Sequence, residues 1–198
     1  MEEKLKRAKI LGSIGAIIYL LSMIVGRNLT APKILLLEII GSFLVLLGVK
    51  DIADGIEKKE IFTDYIKAFI LGIIASLITL PGLRSFSNFL MNFTNLPQRI
   101  KLGFLIYGCL LAFACYFMRK SYRTITEETD DIFFKRSGDL WFVGAISILV
   151  GCLFFSFGSI SFGSIGIGVL GFLIGFIIIF IGTIFEIIAF LKLPTNKY

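Results

Sequence analysis

Residues 137–191 read SGDLWFVGAISILVGCLFFSFGSISFGSIGIGVLGFLIGFIIIFIGTIFEIIAFL. Two apolar runs, Leu140–Phe157 and Ile165–Leu191, flank a short stretch rich in glycine and serine. A helix needs about 20 apolar residues to cross the hydrocarbon of a bilayer. Membrane strands alternate polar with apolar positions, and these runs are continuous instead. Within them small residues recur at every seventh position. Ser137, Gly144, Gly151 and Gly158 form one set, and Ser161, Gly168, Gly175, Gly182 and Ala189 form the other. Seven residues are nearly two helical turns, so each set makes a stripe along one helix face. In lipid, where apolar burial does not drive helices together, small-residue stripes let backbones approach and gain van der Waals contact. Gly171 with Gly175 adds a GxxxG pair. The expectation is an antiparallel helical hairpin with glycine seams.

The same spacing recurs near the start. Ala8, Gly15 and Ser22 lie on one run and Gly41, Gly48 and Gly55 on the next. Gly15-Ala16-Ile17 resembles Gly144-Ala145-Ile146, and GSFLVLLGVK from Gly41 resembles GTIFEIIAFLK from Gly182 with one residue more. Ile10–Val25, Ile34–Val49, Phe69–Leu83 and Leu102–Met118 complete the apolar runs. The shorter ones are extended by lysines that snorkel, such as Lys9, Lys33, Lys50 and Lys67. Pro81-Gly82 is a stop signal for the third. The fold class expected is therefore all-α: a polytopic transmembrane bundle of about six spans, in one integral membrane domain over residues 1–198. Spans one–two and five–six would be repeated antiparallel hairpins, joined by spans three and four.

Composition agrees. Hydrophobic residues make up 57% of 198 positions and the mean hydropathy is +0.91, against roughly 45–50% apolar usage in soluble domains. A chain of this size folded in water could not hide so much apolar side chain. Charged residues are 17% and flank the runs, so the net charge of +6 points to headgroups and away from nucleic acid. There is no histidine, which removes His-based catalysis and most zinc sites. Cys109, Cys115 and Cys152 lie within apolar runs, where a thiol behaves as a small hydrophobe. The first run lacks a small-x-small cleavage site and reads as a retained helix.

Two acids, Glu38 and Glu186, fall inside spans. An ionisable residue in a membrane helix is a functional-site hypothesis by default. Either acid would be a proton or cation site facing the interior, or an interfacial anchor near Lys33 or Lys192. They sit toward opposite leaflets, which argues against a single site. The segment Ser121–Asp139 is the one sizeable polar stretch between spans. Its Glu127, Glu128, Asp130 and Asp131 read as the acidic start of a solvated helix. Phe133 and Phe134 beside Lys135 and Arg136 read as a surface resting on the membrane or on a partner. Phe86, Phe89, Leu90, Met91 and Phe93 form an outer aromatic patch, and Asn28 and Asn92 stand in glycosylation sequons. No catalytic, cofactor-binding or metal-ligating set emerges.

Several short motifs carry a family resemblance. They are Lys9 to Gly15, Gly48 to Asp54, Ile61-Phe62 with Tyr65, Arg119 to Tyr122, and Ile187 to Phe190 closing on Leu193-Pro194. In order and spacing the chain is similar to a prokaryotic membrane-protein family catalogued as a domain of unknown function, number 996. That resemblance implies no activity. The residues favour a structural or accessory protein binding lipid, a membrane partner or itself, because mid-membrane positions are almost wholly Ile, Leu, Phe and Gly. The alternative is a small channel or transporter for a cation, proton or small solute. An enzyme is not expected.

Fifteen lysines and arginines fall on the side shared by both termini. Only Arg27, Lys33, Arg84, Arg99 and Lys101 fall on the other. By the positive-inside rule both termini should be cytoplasmic, in the cell membrane. With the native cysteines removed, a cysteine at position 130 should resist a membrane-impermeant reagent applied to intact cells, while one at position 92 reacts. The reverse pattern would invert this topology.

Overall fold

The computed structural model describes residues 2–25, 31–83, 98–157 and 162–194. They form six helices: α1 Glu2–Val25, α2 Ala31–Ile56, α3 Lys59–Leu83, α4 Gln98–Thr129, α5 Ile132–Phe157 and α6 Phe162–Lys192. Among the described residues there is no strand. Helix is what such runs demand in lipid, because every backbone N–H and C=O must then be satisfied within its own segment. α1, α3, α4, α5 and α6 are each long and apolar enough to cross a membrane. α2 carries Glu38, Lys50, Asp51 and Asp54 but lies antiparallel to α1. Large apolar side chains face outward all round, among them Ile10, Leu36, Phe113, Leu170 and Ile177. Lipid can cover such faces and water cannot.

The glycine stripes are the contacts that hold each hairpin. A Cβ on Gly144 would lie 2.9 Å from the Gly175 carbonyl oxygen, and one on Gly175 would lie 2.7 Å from that of Gly144. One on Gly151 would meet the Gly168 carbonyl at 2.9 Å. Ser137 Oγ donates to the Gly182 carbonyl at 3.0 Å and locks the same seam nearer the helix ends. Between α1 and α2, Cβ atoms on Gly15 and Gly41 would come within 2.6 and 2.8 Å of each other's carbonyl oxygens. Gly48 abuts Gly12 and Ala8 in the same register. Both expected seams are therefore present. Gly158 and Ser161 lie outside the described residues, as do the outer aromatic patch and the two sequon asparagines.

Each helix packs on its neighbours in sequence, and α1 against α6 closes a ring. At that closure Gly12 faces the ring of Phe190, leaving no space for a side chain. Tight turns join α2 to α3 and α4 to α5. Glu57 (φ 61°) and Asp130 (φ 58°) adopt the left-handed conformation there, which reverses the chain within a residue or two.

Two expectations change. Ser121–Asp139 is no polar loop, because α4 continues to Thr129 and α5 begins at Ile132. Glu127 and Glu128 thus end a helix, and only Asp131 caps one, accepting from the Phe133 N–H at 2.9 Å. Phe134 is fully buried, edge-on to Tyr122 and Phe190, and Phe133 stacks on Phe185. These phenylalanines serve the interior contacts of the ring rather than a membrane surface. α3 reaches Leu83, the end of its expected apolar run.

Gly175→Ala should destabilise the protein in detergent by about 1–3 kcal/mol, the usual penalty for overpacking. Gly72→Ala has nothing within 4 Å of the added Cβ and should stabilise by up to about 1 kcal/mol through helix propensity. Thermal unfolding of the two variants checks both signs.

Candidate functional site

Charged groups collect at the end of the ring that carries the α2–α3 and α4–α5 turns, and there the buried Asp51 and Asp64 and the partly exposed Asp139 each have a cation. Arg7 of α1 makes a two-bond pair with Asp51 of α2. Lys67 at 3.2 Å and Lys120 at 2.9 Å hold Asp64 between α3 and α4. Arg119 at 2.5 Å and Arg123 at 3.1 Å hold Asp139 between α4 and α5. Asp51 and Asp64 are 2% and 3% exposed, while the cations on them reach out to solvent. Sequence reasoning passed over these acids because each was counted among flanking charges, and their cations come from another helix or another turn.

Glu186 is different. It is 3% exposed, and no ion pair among the described residues includes it. Its Oε1 accepts a short hydrogen bond from the Tyr122 hydroxyl. The Trp141 indole packs on Gly182, one turn from Glu186, and its N–H is buried without a hydrogen-bond partner among the described residues. Tyr65 stacks on Tyr122 with ring centroids 5.8 Å apart, and Tyr19 packs on Trp141 at 5.4 Å. Five helices thus each send one side chain to this spot: Tyr19 from α1, Tyr65 from α3, Tyr122 from α4, Trp141 from α5 and Glu186 from α6.

Local packing explains the convergence. Gly182 sits one turn before Glu186, and a Cβ there would lie 3.0 Å from Trp141 Cδ1. The seam glycine therefore makes room for the indole beside the acid. Ser121 Oγ donates to the Ile61 carbonyl at 2.9 Å, tying α4 to α3. That bond sets the heights at which Tyr122 and Tyr65 stack.

The expected pairing of Glu186 with Lys192 is absent. Lys192 Nζ lies 4.3 Å from the Phe133 ring centroid instead. The interfacial-anchor reading of Glu186 fails with it, because a snorkelling carboxylate is not 3% exposed. Glu38 is half-buried and makes no ion pair with Lys33. In the turn before α5, burial lifts the Asp131 carboxyl above its ordinary value, against the Phe133 N–H and Lys192, which pull it down. Its Oδ2 has no partner among the described residues.

A lone buried carboxylate is costly unless it is neutral or has a countercharge. Glu186 has one bonded donor, the Tyr122 hydroxyl, and no cation among the described residues, so chemically the place can take a proton or a small cation. Divalent ions want several oxygen ligands, and among the described residues no three His, Cys, Asp or Glu side chains come together.

Residues 37–160 match the family described as protein of unknown function (DUF996). Over 209 aligned residues the chain is 28% identical to the uncharacterized protein MJ1644 of Methanocaldococcus jannaschii, covering 98% of this chain and 95% of that protein. No solved structure matches.

Tyr122→Phe leaves a buried acid without its bonded donor and should destabilise by about 1–3 kcal/mol. Glu186→Gln should also destabilise, and the two changes together should cost less than their sum by about 0.5–3 kcal/mol. A double-mutant cycle by thermal or denaturant unfolding checks the coupling, and strict additivity would contradict the bond.

Proposed function

This chain belongs to the DUF996 family of proteins of unknown function, and we propose that it is a non-enzymatic, multi-pass protein of the cell membrane that handles protons or small cations through Glu186. Both termini lie in the cytoplasm, as the fifteen-to-five bias of lysine and arginine suggests. The observation that carries this is the uncompensated Glu186 carboxyl, 3% exposed inside a ring of apolar helices. Nearby Asp51 and Asp64 have cations from other helices although both are buried. At Glu186 the helices bring the Tyr122 hydroxyl and no cation among the described residues. Acids held in this way within membranes mark proton relays and ion pathways.

A second role, as an accessory protein bound to lipid or to another membrane protein, is favoured by the apolar faces that all six helices turn outward, such as Ile10, Leu36, Ile70, Phe113, Val143 and Ile177. The seams that would have served it, Gly144, Gly151, Gly168 and Gly175, are used inside the chain. That leaves only the outer faces for a partner.

Purified protein in lipid vesicles loaded with a pH-sensitive dye should dissipate an imposed pH gradient faster than empty vesicles do. Glu186→Gln should return the rate to that of empty vesicles. Wild-type vesicles no leakier than empty ones under proton, sodium and potassium gradients would overturn the proposal. Lipid or a membrane protein retained through that purification would then favour the accessory role.

A further inference from the structure

α2 is the helix that sends nothing to the Glu186 cluster, yet it carries the other intramembrane acid. On a helix of 3.6 residues per turn, Glu38 shares a stripe with Val45, Val49 and Ile52. Those three are 3%, 0% and 0% exposed, so the stripe is the one α2 turns into the bundle. Gly41 stands one turn from Glu38 and abuts α1 at Tyr19, where a Cβ on Gly41 would lie 2.8 Å from the Tyr19 nitrogen. Tyr19 in turn packs on Trp141 at 5.4 Å, and Trp141 packs on Gly182, one turn from Glu186. Glu38 also lies within electrostatic reach of both Tyr19 and Tyr107. It has no hydrogen bond or ion pair among the described residues and is only half-buried. The two acids, expected from sequence to be separate, therefore each lie one turn from a chain of contacts that crosses the bundle, Gly41 on Tyr19, Tyr19 on Trp141 and Trp141 on Gly182.

We infer that Glu38 is the second station of the path through Glu186, exchanging protons between the water at the α1–α2 turn end of the ring and the buried acid. This rests on the proposed proton handling at Glu186. The step is a plain proton transfer. Glu38 takes a proton from water at that end and becomes neutral. The Tyr19 hydroxyl accepts that proton as it releases its own toward Glu186, so the phenol ends as it began. Glu186 becomes the neutral acid and Glu38 is left ionised for the next proton. From Glu186 the Tyr122 and Tyr65 hydroxyls lead on toward the charged end of the ring, where Lys120, paired with the buried Asp64, meets water. No redox partner or metal takes part. Tyr19 and Tyr107 are the titratable groups that face Glu38 from α1 and α4.

The test uses the full chain in dye-loaded vesicles, with infrared difference spectra of the same samples. The carboxylic C=O band that Glu186→Gln removes reports on Glu186. Glu38→Gln should lower proton flux at least tenfold while that band persists, and Tyr19→Phe should lower it severalfold. Glu38→Asp keeps the carboxyl and should retain a third or more of the wild-type rate. Unfolding of each variant in detergent shows that it is folded. Should Glu38→Gln fail to fold, Glu38→Ala and Tyr19→Phe decide the matter: wild-type flux in either folded variant would overturn the inference. Flux in Glu38→Gln within twofold of wild type, with Glu186→Gln inactive, would overturn it and leave Glu186 standing. No flux in the wild type would overturn both.

Discussion

Backbone-to-backbone contact along the glycine seams is the constraint on which this ring depends. In lipid the outer faces of the helices gain nothing from association, because acyl chains solvate Ile, Leu and Phe as well as another helix does. Close approach is then the available source of attraction, and it requires residues without a Cβ. Gly144 with Gly175, Gly151 with Gly168, and Gly15 with Gly41 supply it, each carbonyl lying where a side chain would clash. The two hairpins become stiff two-helix units, and α1 against α6 sets them side by side. The cage around Glu186 follows from that placement. Gly182 admits the Trp141 indole, which brings it to the acid one turn further along α6.

Charge is handled in two ways within a short distance. At the charged end of the ring, Asp51, Asp64 and Asp139 each tie two helices together through arginine or lysine, with the cationic side chain reaching to solvent. Such pairs keep the acid desolvated on one side only, so the Coulomb attraction is not set against full burial of both ions. Deeper in, Glu186 has no cation, and its ties are to Tyr122 and to a neighbouring indole that makes no hydrogen bond. Hydrogen bonds from neutral donors hold an acid in place without fixing its charge, which is what a group that gains and loses a proton requires. The geometry of the ring thus separates acids that staple helices from one with no cation among the described residues.

Much of this architecture was legible from the chain. The heptad spacing of Gly144, Gly151, Gly175 and Gly182 predicted the α5–α6 seam, and that of Gly15, Gly41 and Gly48 predicted its counterpart. Period is a local property of sequence, and in a membrane it maps directly onto a helix face. Glu186 stood out because an acid among Ile, Phe and Ala is conspicuous. Its surroundings did not, since Tyr65, Tyr122 and Trp141 lie on other helices and look like ordinary apolar-run aromatics. The same limit hid the partners of Asp51, Asp64 and Asp139. Phe133 and Phe134 beside two cations read as a membrane-surface segment, because nothing local told of the Tyr122, Phe185 and Phe190 rings that enclose them. Thr129 through Ile132 misled for another reason. A turn set by one left-handed aspartate, Asp130, leaves almost no compositional trace.

By itself, then, the sequence determined that the chain is helical, that its outer surface belongs in lipid, which stripes of each helix are small, and which acids lie within apolar runs. Each of these depends on residues within two turns of one another, and helix periodicity converts them to faces without further information. Only the tertiary structure decided that Glu186 meets Tyr122 instead of Lys192, and that the buried Asp51 and Asp64 have cations from other helices. Those outcomes depend on the rotation and height of helices far apart in the chain. They are set by which glycine lies against which carbonyl once the ring has closed.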